Sequence, residues 1–332
     1  MATINDIAKR LGIAKSTVSK ALNNATDVSP QTREKVLEMA LALDYSNKHM
    51  RERQKKLCII IENMEYATPN HFGYDLVHSF QQAASKDGWL VDCIPISKEF
   101  QRGTSYGVFM IQNEYAGAFI LGLSLVDPWI NSFSTSKVPA VLYDNYIVGN
   151  PHVASVECDN FHGIDEAIHY LKNFGHTKIG LISGPLESYI QKARYNAYIE
   201  TMAKYHLTIE EGFIGIDYYV EDATKVHVKR MYDMGITAIL CTHDLRAVSA
   251  LQACINLGIR IPQDMSIIGF DDIPIATLTT PSLTTIRQDR IALGKSGYYA
   301  LSCLLEGMPM QNIRLFAPLV IRGSTGPVPI PI

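Results

Sequence analysis

Two sets of residues in this 332-residue chain have the type and spacing to do chemistry. The first is Lys15, Ser16, Ser19 and Lys20, which fall on one side of a helical period while Val18, Ala21 and Leu22 fall on the other. Ammonium and hydroxyl groups on one exposed helix face can donate to the base edges and phosphates of a DNA major groove. The second set stands where apolar runs end. Asp144 follows the run 138–143, His243 and Asp244 follow 238–241, and Asp271 follows 266–269. Arg194 falls near the start of the helical stretch after 178–182, Phe72 in the loop after 57–61, and Gln288 after a further crossover strand. Ligand groups in open α/β sheets gather at such strand ends. Carboxylates and a guanidinium with an aromatic face suit a polyol or a small ring: bidentate hydrogen bonds grip the polar groups and the ring covers the apolar face.

The first set needs a small helical frame, and residues 1–45 supply it. Thr3 can cap a first helix, with Asp6 three residues on in the capping-box position. Ile7, Ala8 and Leu11 form its apolar face, and Gly12 can take the left-handed backbone that stops it. A second helix starts near Lys15. Asn23, Asn24 and Asp27 make a polar turn, and Ser29-Pro30 sets a cap and a first-turn proline ahead of a third helix. Val36, Leu37, Ala40 and Leu43 give that helix an inner face. The pattern predicts a helix-turn-helix; helical hairpins are common, so geometry alone also fits an ordinary helical cap. Residues 46–56 form a polar, cationic linker in which Arg51, Arg53, Lys55 and Lys56 can hold phosphates or enter a narrow minor groove. Residues 1–56 carry 11 Lys/Arg against 6 Asp/Glu, and the rest of the chain 19 against 27. A basic head on an acidic body is what phosphate binding by one domain predicts.

The second set needs a sheet. From residue 57 onward, strand-length apolar runs at 57–61, 90–94, 118–121, 138–143, 178–182, 213–216, 238–241 and 266–269 alternate with helical stretches, among them 105–113, 160–174, 190–205, 221–234, 244–257 and 290–305, and a last apolar strand lies near 313–321. This alternation predicts an α/β body of doubly wound parallel sheets. Crossovers near 155–160, 280–290 and 313–321 divide residues 57–332 into two subdomains with a cleft between them. No apolar run of about 20 residues and no signal peptide is present, which predicts a cytoplasmic protein without membrane contact. Six scattered cysteines, without CxxC pairs, read as buried thiols rather than a zinc or disulfide framework. GxSxG, HExxH, GxGxxG and GxxxxGK[ST] are all missing, so neither an enzyme nor a bound cofactor or metal is expected.

The run TINDIAKRLGIAKSTVSKALNN, with VSPQTREKVLEMALALDY after it, resembles the DNA-binding headpiece of the LacI/GalR family of bacterial transcription regulators. GHTKIGLISGP at 175–185, DMSIIGFDDI at 264–273 and PSLTTIRQ at 281–288 extend the resemblance over nearly the whole chain. It implies a periplasmic-binding-protein-like body, a homodimer on a pseudo-palindromic operator in double-stranded DNA, and a small-molecule effector in the cleft, carbohydrate-like by the residue chemistry above. It places Lys15, Ser16 and Lys20 on bases. Ser19, Asn23 and Thr32 are phosphate candidates, and Thr3 and Thr17 join the same DNA-facing set. Positions matching Arg194, Asp271, Asp144 and Phe72 contact effectors in the family, His243 stands where Asn is more usual, and Tyr218 or Tyr219 can stack from the other lobe. Ala14 replaces the usual N-cap serine, and the linker is short, with Arg53 or Gln54 where a wedging leucine is expected. The function expected is a ligand-gated repressor; the alternative is the same regulator controlled by a protein co-effector docked on the body.

Overall fold

The computed structural model describes residues 2–23, 25–43, 45, 55–217 and 221–328. The N-terminal helices are α1 (Ile4–Leu11), α2 (Lys15–Leu22) and α3 (Pro30–Ala42). Ile7, Ala8, Val18, Ala21, Val28, Val36 and Ala40 form their core. Val28 is the member that helical periodicity does not reveal, because it sits in the turn before α3. Gly12 stops α1 at φ +65°, a conformation that a side chain disfavours.

Beyond the headpiece are two six-stranded sheets. The strands are β1 (Lys56–Ile61), β2 (Leu90–Pro95), β3 (Ala118–Leu121), β4 (Ala140–Tyr143), β5 (Val153–Cys158), β6 (Ile179–Ser183), β7 (Ile214–Ile216), β8 (Ala238–Cys241), β9 (Ser266–Asp271), β10 (Thr284–Arg287), β11 (Asn312–Leu315) and β12 (Leu319–Val320). They run in the orders β11-β5-β4-β3-β1-β2 and β12-β10-β9-β8-β6-β7. Pairings are parallel from β5 through β4, β3 and β1 to β2, and from β10 through β9, β8 and β6 to β7; β12 runs antiparallel to β10. Strands β3, β4, β6, β8 and β9 are buried along their whole length, as parallel strands covered on both faces must be.

The chain divides into two compact units, one of residues 1–64, 76–156 and 294–313, the other of 65–75, 157–293 and 314–332. In the first, Phe80 stacks on Phe119 with centroids 5.0 Å apart, and Trp129 is buried beside Tyr106 and Phe109. In the second, helices Asn160–Asn173 and Tyr189–Lys204 pack over one face of the sheet through Ile164, Ile168, Leu171, Tyr198 and Met202. Ala247, Ala250, Leu251 and Cys254 of helix Asp244–Asn256 pack with Val228 and Met231 into a separate core cluster.

Several elements differ from expectation. The helix expected at 105–113 is present as Tyr106–Gln112, but a further one, Lys98–Gly103, precedes it; each is begun by a serine hydroxyl that accepts a backbone N–H, from Phe100 and from Val108. The strand expected at 313–321 is interrupted at 316–318 and becomes β11 and β12, in different sheets. Strand β5 was not expected, and the crossover near 155–160 falls within its end, where the first unit gives way to the second between Val156 and Glu157. Phe72 is not in a loop; it opens helix Phe72–Lys86. Cys58, Cys158, Cys241 and Cys254 are buried, while Cys93 and Cys303 are half-buried. Among the described residues, no helix is long and apolar enough to cross a membrane.

Candidate functional site

The headpiece face is assembled locally. Thr3 and Asp6 form a reciprocal cap on α1: the Asp6 amide donates to Thr3 Oγ1 at 3.4 Å and the Thr3 amide to Asp6 Oδ2 at 2.8 Å. Hydrogen bonds that the Thr3 hydroxyl, at 2.7 Å, and then the Thr3 amide donate to its Oδ2 hold the Asp6 carboxyl below the usual range. Ala14 occupies the N-cap of α2 with extended backbone and no side-chain hydrogen bond. Lys15, Ser16, Lys20 and Asn23 are exposed, and Thr17 and Ser19 are half-buried on the same helix. The Asn23 amide donates to the Ser19 carbonyl at 2.8 Å. Thr32 stands in the cap of α3, where its amide donates to Ser29 Oγ at 3.2 Å. Arg51 and Arg53 lie outside the described residues. Lys55 and Lys56, expected on phosphates, have partners inside the first unit: Lys55 Nζ donates to the Asp87 carbonyl at 3.1 Å, and Lys56 Nζ pairs with Asp92 at 2.9 Å.

The second unit gathers five of the seven expected ligand residues. Arg194, in the second turn of helix Tyr189–Lys204, lies 3.6 Å above the centroid of Phe270. Its Nε donates to Asn160 Oδ1 at 2.9 Å, and its Nη1 donates to the Thr242 carbonyl and, at 3.4 Å, to Asp271 Oδ1. Gln288 Nε2 donates to the same Asp271 oxygen at 2.7 Å. Asp271 and Asp272 take left-handed φ of 115° and 53°, uncommon for residues with a Cβ. That turn ends β9 and directs the Asp271 carboxylate toward Arg194 and Gln288. His243 is the N-cap of helix Asp244–Asn256, with Nδ1 accepting from the Arg246 amide at 3.2 Å. Burial, reinforced by the charge of Arg194, pushes its pKa down to about 3, so its imidazole is neutral at pH 7.

Phe72 belongs to the same unit, and the Arg290 guanidinium lies 5.7 Å from its ring centroid. Arg290 also pairs with Asp75 at 3.1 Å and donates to the Asp271 carbonyl at 3.4 Å, which ties the turn after β9 to the start of helix Phe72–Lys86. Asp144 belongs to the first unit, at the end of β4, with φ 49° and its amide donating to the Val156 carbonyl. Tyr218 and Tyr219 lie outside the described residues.

Some members of this cluster were not anticipated. Asn160 and Thr242 hold Arg194, and Arg290 holds Asp75. Asp244, singled out with His243 at the end of β8, is fully buried: its side-chain oxygens accept from the Ile273 amide at 2.9 Å and from Thr285 Oγ1. Burial and the neighbouring Asp271 push its pKa up to about 8. Gly269 makes room for it, since a Cβ there would fall 2.3 Å from Asp244 Oδ1. Buried Arg246 pairs with Asp217, which His227 approaches at 3.5 Å. For the residues not anticipated, the available signal was proximity to a strand end: Thr242 precedes His243, and Asp217 follows β7. Nothing in the local sequence marks Arg290. Among the described residues, no three His, Cys, Asp or Glu side chains gather as a metal ion would need.

A helix-turn-helix ahead of two parallel-sheet α/β units is the architecture of a DNA-binding regulator. The comparisons agree. Residues 3–47 match the model for bacterial regulatory proteins of the lacI family, and residues 168–325 match that for a periplasmic binding protein-like domain. The HTH-type transcriptional repressor CytR of Escherichia coli K12 is 28% identical over 339 residues, covering 99% of this chain and 97% of that protein. The lac repressor dimer bound to operator and the anti-inducer ONPF superposes with a TM-score of 0.68 at 24% identity, over 98% of this chain and 99% of that one. A transcriptional regulator CelR–cellobiose complex gives a TM-score of 0.71 at 24% identity, over 98% and 100%. The chain thus carries a DNA-binding domain of the lacI family of bacterial regulatory proteins and a periplasmic binding protein-like domain, the make-up of a DNA-binding transcriptional regulator.

Proposed function

We propose that the chain acts in the cytoplasm as a homodimer whose two α2 helices enter successive major grooves of a pseudo-palindromic operator, about one helical turn apart. Lys15, Ser16 and Lys20 face the base edges; Ser19, Asn23, Thr32 and the linker arginines Arg51 and Arg53 face phosphates. A small polar ligand, a sugar or sugar derivative, sits against Arg194, Asp271, Gln288, His243 and Phe72 of the second unit. Its differential affinity for two arrangements of the body shifts DNA occupancy.

The observation that carries this reading is the Asp271 carboxylate held between Arg194 and Gln288. A carboxylate fixed in this way can accept from two neighbouring hydroxyls, and Phe72 offers the apolar cover that a ring needs. Nearly all the cationic charge of the unit's strand ends is already matched by Asp75, Asp217, Asp271 and Asp272. That balance suits a neutral polyol better than an anion.

The test is a titration of the full chain against its own promoter region at several salt concentrations, with and without a panel of carbohydrates. The expected result is a tight, footprinted palindrome with a steep salt dependence and an affinity that changes with one sugar class. Tight binding that no carbohydrate alters overturns the ligand class. Absence of any specific site overturns the DNA reading.

A further inference from the structure

The DNA-facing side of the headpiece is not uniformly cationic. Asp27, in the turn between α2 and α3, pairs with Lys20 through Oδ2 and Nζ. Both side chains are more than half exposed. An exposed ion pair contributes little to folding, since solvent screens it and two side chains lose freedom in making it. The turn nevertheless holds Asp27 in this place. The Ala25 amide donates to the Lys20 carbonyl at 3.0 Å, the Arg33 guanidinium donates to the Ala25 carbonyl, and Val28, next in the chain, is buried in the headpiece core. The backbone on either side of Asp27 is therefore anchored, and its carboxylate is presented to a side chain that faces DNA. A carboxylate at such a surface is repelled by phosphates, so its presence there calls for a role in selection rather than in affinity.

We infer that Asp27 is a specificity-determining residue of the headpiece, restraining the Lys20 ammonium so that it serves base edges and not phosphates. This rests on the reading of Lys20 as a base contact. An ammonium has three donors, so one can stay on Asp27 while another reaches guanine O6 or N7. Without the carboxylate, the flexible four-carbon stem of lysine can reach the nearest phosphate on any sequence. Asp27 thus lowers non-specific binding more than specific binding, and widens the ratio between them.

The experiment uses the full chain and two labelled duplexes: one recovered by the wild-type protein from a random-sequence pool, and one of equal length with the recovered site scrambled. Anisotropy titrations across a salt series are run for wild type, Asp27→Asn, Lys20→Gln and the double variant. Asp27→Asn is expected to tighten binding to the scrambled duplex by roughly fivefold per headpiece, about the worth of one unit charge at contact distance in water. Its salt slope on that duplex should steepen by about 0.9 per headpiece. The selected-to-scrambled ratio should fall accordingly. In the Lys20→Gln background the same change removes an unpaired carboxylate, strengthens both duplexes alike and leaves the ratio where it was. An unchanged ratio for Asp27→Asn in the Lys20 background overturns the inference, as does an equal change of ratio in both backgrounds. If the wild-type protein recovers no sequence from the pool, the DNA reading of the headpiece fails and takes the inference with it.

Discussion

In the headpiece, outward-facing polar side chains are held by partners a few residues away. Thr3 and Asp6 cap each other at a separation of three, Asn23 reaches Ser19 at four, and Ser29 and Thr32 meet at three. In the second unit, Arg194 is held by Asn160, Thr242 and Asp271, which lie 34, 48 and 77 residues away in sequence. The difference follows from where each partner binds. DNA lies outside the protein, so its contacts can stay exposed and cost the fold little. A small ligand gripped at strand ends needs charged groups that are already desolvated, and only partners from several elements can satisfy them there. On the proposed function, the headpiece therefore separates function from stability, whereas the second unit combines them.

The largest expected effect sets the two regions against each other. Arg194→Ala leaves Asp271, Asn160 and the Thr242 carbonyl without their common donor in a site where Arg194 is 3% exposed. Removing one partner of a buried pair costs about 3–5 kcal/mol. Lys15→Ala, on an exposed face, should change stability by less than about 0.5 kcal/mol while weakening operator binding. Urea unfolding of the two variants, beside operator titrations, checks both. Equal destabilisation by the two substitutions would break the contrast.

A pH dependence comes next. Asp244 has a pKa of about 8 in the folded chain. The unfolded chain releases that proton near an ordinary aspartate pKa of about 3.9. Between those limits the folded state holds a proton that the unfolded state lacks, so this group lowers stability as pH rises. His243 acts in the opposite sense: with its pKa near 3, it refuses below about pH 6.5 a proton that the unfolded chain accepts, and stability falls as pH drops. From about pH 4 to about pH 6.5 the two slopes cancel, so the stability contributed by this pair should hold level there and fall between about pH 6.5 and 8. Asp244→Asn should flatten the alkaline side, read as the shift of urea midpoint between pH 6.5 and 8.5. The slope is the test, because an amide also loses one of the two hydrogen bonds from Ile273 and Thr285 and lowers stability at every pH.

These two regions also differ in how far their sequence discloses them. The capping pairs, the Gly12 stop and the apolar faces of α1–α3 are local patterns, and they are found where the spacing predicts them. The parallel strands were visible as apolar runs, because burial on both faces leaves no polar alternation to read. The residues following those runs led to Asp271, His243 and Gln288. Arg290 and Asn160 were not legible in the same way. Each is an ordinary helix or strand-end residue until topology brings it to its partner: Arg290 meets Asp75 across 215 positions. The break between β11 and β12 was missed for a related reason. The run 313–321 is apolar throughout its centre, and only the assignment of its two halves to different sheets reveals the interruption.

Two smaller effects sharpen the contrast on the headpiece side. Thr3→Ala removes the hydroxyl that accepts the Asp6 amide and one half of the reciprocal cap, at a cost of about 1 kcal/mol. Hydrogen exchange should show that loss in the amides of α1 while those of the sheets in the body keep their protection. Comparable loss in both places would mean that headpiece and body unfold together, contrary to the separation argued above.

The smallest effect runs in the stabilising direction. Ala14 has φ −65° and ψ 143°, the extended backbone of an N-cap residue, but no side-chain oxygen to accept from the first turn of α2. The amides of Thr17 and Val18 instead donate to the Ala14 carbonyl. Ala14→Ser keeps that backbone and adds an acceptor for the amide of Ser16 or Thr17. Alanine-to-serine gains at such positions are about 0.5–1 kcal/mol, so exchange of the α2 amides should slow by roughly two- to fivefold. Because the new hydroxyl lies at the end of the helix that carries Lys15 and Ser16, operator affinity reports the same change independently. A headpiece whose α2 is fully formed before it meets DNA gains protection and no affinity. One that completes α2 on the duplex gains both, because part of the ordering cost has been met in advance.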